Sequence, residues 1–144
     1  MKRLLVLLVA AVAGVGLVAA FASAAPAKAP KTAKVLIRHQ MVGCHTWSIN
    51  GGPFKAAQTM TLARGGTIAF VNDDVMPHRL VEKSGPAVKF VGKPNMNHMS
   101  AGVKIALTKA GTYRFTTKAG EDYPGMKMET KGEDNVLRLT VKVT

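Results

Sequence analysis

From about Ala33 onward the chain is cut into short segments in which β-branched and aromatic residues recur or alternate with polar ones, with turn residues between them. Such segments run from Val35 to Gln40, His45 to Ile49, Gln58 to Leu62, Thr67 to Asn72, Arg79 to Lys83, Val103 to Leu107, Thr112 to Thr117 and Val136 to Val143. A two-residue apolar period is the mark of strands with one buried face, and no segment carries a sustained helical stripe. The breaks have the chemistry of turns: Asn50-Gly-Gly-Pro53, Arg64-Gly-Gly66, Asn72-Asp-Asp74, Ser84-Gly-Pro86, Lys109-Ala-Gly111 and Lys131-Gly-Glu-Asp134. Each offers residues that accept positive φ or preset a bend. Seven or eight such strands bury one face apiece most simply as an all-β, Greek-key β-sandwich. The longest stretch without a strand pattern is Ser84 to Gly102, and a loop of that length in a small domain is expected to be functional or mobile.

The chain begins with Met1-Lys-Arg, continues with an apolar run from Leu4 to Phe21, and reaches a small-residue site at Ala22-Ser-Ala24. That order reads as a signal peptide over residues 1–24, followed by a disordered leader over 25–32 and one domain over 33–144. The expected location is exported: periplasmic, cell envelope or extracellular, with no stable membrane span after cleavage. Losing Lys2 and Arg3 with the signal peptide takes the formal net charge from +12 to +10. The basic residues are scattered, without the runs or aromatic interleaving of a nucleic-acid binder, so general attraction to acidic surfaces or an acidic protein partner is expected and nucleic acid is not. Cys44 is the single cysteine. It excludes an intramolecular disulfide and leaves a thiol to be buried, ligated or paired between chains.

Two stretches carry a resemblance. Thr67-Ile-Ala-Phe-Val-Asn-Asp-Asp-Val-Met-Pro-His-Arg-Leu-Val81 is a strand that breaks at an Asn-Asp-Asp turn and restarts after Pro77-His78, and Gly111-Thr-Tyr-Arg-Phe-Thr-Thr117 is a Gly-x-Tyr-x-Phe strand. Together they resemble the copper-binding cupredoxin family, and the resemblance covers roughly Ala57 to Val143. It implies a cupredoxin-like sandwich and copper as cofactor, with His78 at the position of the first histidine ligand. The family's last loop supplies a Cys, a His and a Met. In this chain the loop is Thr117-Lys-Ala-Gly-Glu-Asp-Tyr-Pro-Gly-Met-Lys-Met128, with Thr117 at the Cys position, no histidine, and Met126 at a plausible place for the axial thioether. A conventional blue-copper site is therefore excluded, because no cysteine follows Cys44.

The remaining soft donors make up a non-standard set: Cys44-His45 beside Trp47, His78 after Met76, and Met96-Asn-His98-Met99, with Met126 and Met128 beyond. Imidazole with sulfur suits copper. The expected metal ligands are His78, His45, Cys44, His98, Met126 and Met99; adjacent strand residues face opposite ways, so one of Cys44 and His45 is expected to serve unless the strand bulges at Gly43. Met41 and Met60 read as filler, whereas Met96, Met99, Met126 and Met128 sit in loop-like sequence where burial in the core is not expected. His39 reads as an ordinary surface or packing residue. Asp73 and Asp74 read as turn formers, as do Glu121 and Asp122, which could otherwise stand in as oxygen ligands. No catalytic triad, nucleophile elbow or zinc motif is present, so no enzyme is expected. Two functions follow: copper binding in electron transfer or copper handling, or a metal-free secreted binding or structural module whose histidines hydrogen-bond within loops.

Overall fold

A computed structural model describes residues 28–39, 45–119 and 136–144. The signal-peptide run, Cys44 and the loop holding Met126 and Met128 lie outside the described residues. Among the described residues there are ten strands: β1 (Thr32–His39), β2 (His45–Ile49), β3 (Ala57–Leu62), β4 (Gly66–Asn72), β5 (His78–Ser84), β6 (Lys89–Val91), β7 (Asn95–Met96), β8 (Gly102–Leu107), β9 (Gly111–Ala119) and β10 (Arg138–Val143). They form two five-stranded sheets ordered β2-β1-β4-β8-β6 and β3-β10-β9-β5-β7. Pairings are antiparallel except β1 with β4 and β3 with β10. The all-β sandwich expected from the strand rhythm is the observed fold. No helix among the described residues is long and apolar enough to cross a membrane.

Alternation decides what is buried. Val35 and Ile37 of β1, Ile68 and Phe70 of β4, and Val103, Ile105 and Leu107 of β8 point inward from one sheet. Leu80, Tyr113, Phe115, Leu139 and Val141 meet them from the other. Phe70 lies at the centre, its ring 6.5 Å from that of Trp47 and 5.9 Å from that of Phe115. The β3–β4 turn shows why it needs two glycines: Gly65 has φ 76°, and a Cβ on Gly66 would fall 2.7 Å from the Leu62 side chain.

Three differences from the sequence reading have simple causes. The stretch from Ser84 to Gly102 contains β6 and β7, edge strands of three and two residues. Runs that short show no period, and they are set by backbone pairing to β8 and β5. Met96 is fully buried in the core rather than loop-borne, because β7 pairs it opposite His78. Strand β1 opens at Thr32, and the carbonyls of Pro30 and Lys31 accept backbone hydrogen bonds from Ala63 and Thr67, so the last residues of the expected leader are docked.

Because Phe70 spans both sheets, Phe70→Ala is expected to cost about 3 to 5 kcal/mol of folding stability. Urea denaturation of the two proteins, followed by tryptophan fluorescence, measures it.

Candidate metal centre

At one end of the sandwich β1 ends, β2 begins, β4 ends and β5 begins, and the polar residues converge there. Asn72, the last residue of β4, is fully buried. Its Nδ2 lies 2.8 Å from the carbonyl of Met76, 3.2 Å from that of Met96 and 3.4 Å from that of His98. Its Oδ1 accepts from the Asp74 amide at 2.9 Å. Its own backbone is tied to the loop beyond β7, through Asn72 N–H to Ala101 O and Ser100 N–H to Asn72 O. One side chain thereby fixes the turn before His78 and the segment opposite it.

That turn divides its two aspartates. Asp73 faces outward and pairs with Arg38 of β1, whose Nε donates at 2.9 Å. Asp74 turns inward and is 1% exposed. Its Oδ1 accepts from the Met76 amide at 3.1 Å, and its Oδ2 lies 3.0 Å from His45 Nδ1 and 3.1 Å from His78 Nε2. Both imidazoles are buried, with ring centroids 4.8 Å apart. Burial pushes the Asp74 carboxyl up, but the Met76 amide, hydrogen bonds to His78 and His45, and the charge of His78 outweigh it and hold the group below the usual aspartate range. His39 is exposed and stands directly opposite His45 across the β1–β2 pairing, its ring centroid 5.7 Å away. One ligand atom from each of His39, His45 and Asp74 falls within 4.8 Å of the others.

The sequence-predicted ligands are thus partly assembled. His45 and His78 come together. His98 lies at the same end through its backbone, but its side chain is exposed and its Nδ1 engages the Met99 carbonyl at 2.8 Å. Met99 is 49% exposed. Cys44 and Met126 lie outside the described residues, as do Glu121 and Asp122. Thr117 is buried in β9 opposite Leu80, and the strand continues to Ala119, which pairs with His78. Sequence reasoning missed Asp74 as more than a turn former and His39 as more than a surface residue. A signal for His39 existed: antiparallel pairing of the segment that ends at His39 with the one that begins at His45 sets the two opposite each other.

The residues in hand suit a metal ion. Imidazole and carboxylate together fit a borderline divalent ion such as Cu(II) or Zn(II), and a carboxylate already buried lowers the cost of receiving a cation.

No protein-family model matches the chain, and comparison with curated proteins found no match. Solved structures similar to it include a purple cupredoxin from Nitrosopumilus maritimus, at 16% identity and TM-score 0.46 over 76% of this chain and 99% of that one. An oxidized amicyanin mutant follows at 18% identity and TM-score 0.37 over 61% and 70%. Another amicyanin mutant, solved as Cu(I), shows 15% identity and TM-score 0.39 over 76% and 80%. The chain's own architecture is an all-β sandwich of two five-stranded sheets. Superpositions this loose transfer no residue roles, and the site stands on its own geometry.

Because the folded Asp74 carboxyl titrates below its unfolded value, its contribution to stability is present above the usual aspartate range and is lost as pH falls through the folded value. Asp74→Ala is expected to cost about 3 to 5 kcal/mol at neutral pH and to flatten the acid limb of the stability curve. Denaturant midpoints measured from neutral to strongly acidic pH check both.

Proposed function

We propose that this chain is an exported, cupredoxin-like copper-binding protein, with residues 1–24 a signal peptide, whose site at the sandwich end is anchored by His78 and His45. One observation carries this reading: two buried imidazoles from different sheets meet at one carboxylate oxygen, at the end where β5 restarts. The other donors proposed for the site are Cys44, His98, Met99 and Met126. If the Cys44 thiolate joins the imidazoles, the ion is poised for one-electron transfer; without it, the protein captures or delivers copper in the cell envelope.

The outer face of the second sheet supports an acidic partner. Arg79 and Lys118 stand directly opposite each other on β5 and β9, and Arg114 and Lys142 share that exposed face. Like charges set opposite one another disfavour the isolated sheet, and an acidic surface would relieve them.

A second reading has its own observation. The Asp74 hydrogen bonds also describe a self-sufficient polar cluster in a metal-free binding or structural module.

Titrating the mature protein, from Ala25, with Cu(II) and with Cu(I) under reductant separates these readings. One copper per chain, lost in His78→Ala, is the expected result. An intense visible band lost in Cys44→Ala assigns electron transfer, and colourless binding assigns copper handling. Absence of binding at micromolar metal overturns the copper reading and leaves the metal-free module.

A further inference from the structure

We propose that His39 and Asp74 complete, with His45 and His78, a nitrogen- and oxygen-donor site for a divalent first-row transition ion, with Cu(II) held most tightly. This deepens the copper reading above and rests on it. Neither residue belongs to the donor set that the chain's sequence suggests, and both enter through geometry.

Two of the donor separations, both now hydrogen bonds, match those of ligands around an ion. In a tetrahedral site with bonds near 2.0 to 2.1 Å, neighbouring donor atoms are about 3.3 Å apart. Asp74 Oδ2 lies 3.0 Å from His45 Nδ1 and 3.1 Å from His78 Nε2. His39 brings a further imidazole into the 4.8 Å group of His39, His45 and Asp74. Its side chain is exposed at the end of β1.

The carboxylate is held as ligands are held. Its Oδ1 is engaged by the Met76 amide, and the Asp74 backbone is pinned to Asn72 Oδ1, which leaves Oδ2 directed at the imidazoles. Outer hydrogen bonds of this kind orient a ligand and reduce what must be ordered when the ion arrives. His39 sits at the open side, where an ion exchanging with solvent meets its first donor. His45, Asp74 and His78 lie behind it, each at most 2% exposed.

The donor types set the preference. Of the two methionines flanking His98, Met96 is packed in the core and Met99 is half exposed. Three imidazoles and a carboxylate favour Cu(II), then Zn(II), over Cu(I), following ligand hardness and the stability order of divalent ions.

The test uses the mature protein and Cu(II) alone, without reductant, read by electron paramagnetic resonance and by competition with a chelator. The expected result is weak visible absorption and hyperfine coupling to three imidazole nitrogens. His39→Ala, at an exposed strand end where folding is unaffected, should remove one nitrogen and weaken Cu(II) by about tenfold or more, in the range seen for loss of a supporting ligand. Asp74→Asn should weaken Cu(II) at least as much. Cu(II) bound with unchanged spectrum and affinity in both variants overturns this proposal and leaves the copper reading standing. So does a wild-type protein that takes Cu(I) but not Cu(II). Failure to bind copper in either oxidation state overturns both.

Discussion

The end of the sandwich is organised by one buried amide. Asn72 closes β4 and has no route to water, so every polar atom it carries must find a partner inside the fold. It finds them on three separate segments: the turn after β4, the end of β7 and the loop that leads into β8. The chain at these points has no regular pairing of its own. Ser100 even adopts φ 69°, a conformation unusual for a residue with a side chain, and its amide is bonded to the Asn72 carbonyl. Remove this amide and the positions of Asp74, His78 and Met96 are no longer defined relative to one another.

From that clamp follows the electrostatics. An aspartate taken out of water is unfavourable unless its oxygens are fully engaged, and Asp74 has both engaged, one by a backbone amide and the other by two imidazoles. The histidines come from β2 and β5, which belong to different sheets. The cluster therefore joins the two layers at their polar end much as Trp47, Phe70 and Phe115 join them at the apolar centre. A hydrophobic contact would hold the layers there equally well. Two imidazoles and a carboxylate oxygen, all nearly inaccessible, bring in addition the ability to receive a cation, and that is the physical content of the functional reading.

Much of this was legible in the sequence, and the reasons are specific. Strands β1, β4, β8 and β9 show two-residue alternation because one face of each is buried, while β6 and β7 are too short to show any. His78 was legible because it follows Pro77 where a strand must restart, and His45 because it shares a strand with Trp47. Asp74 was not, since turn aspartates are common and nothing in Asn72-Asp-Asp74 says which of the two points inward. Arg38 decides it by drawing Asp73 to the surface, an interaction 35 residues apart in the chain. His98, flanked by methionines in a Pro- and Gly-bounded segment, reaches this end of the sandwich through its backbone, while its ring engages the next carbonyl and faces solvent.

The central claim is that an ion is held where His45 and His78 meet. Anomalous diffraction at the copper edge, from crystals of the mature protein grown with Cu(II), tests it most directly. The account predicts one strong peak within bonding distance of a nitrogen of each histidine, with the Asp74 carboxylate beside it. A protein that crystallises with the His45–Asp74–His78 hydrogen bonds intact and no copper between them would contradict it.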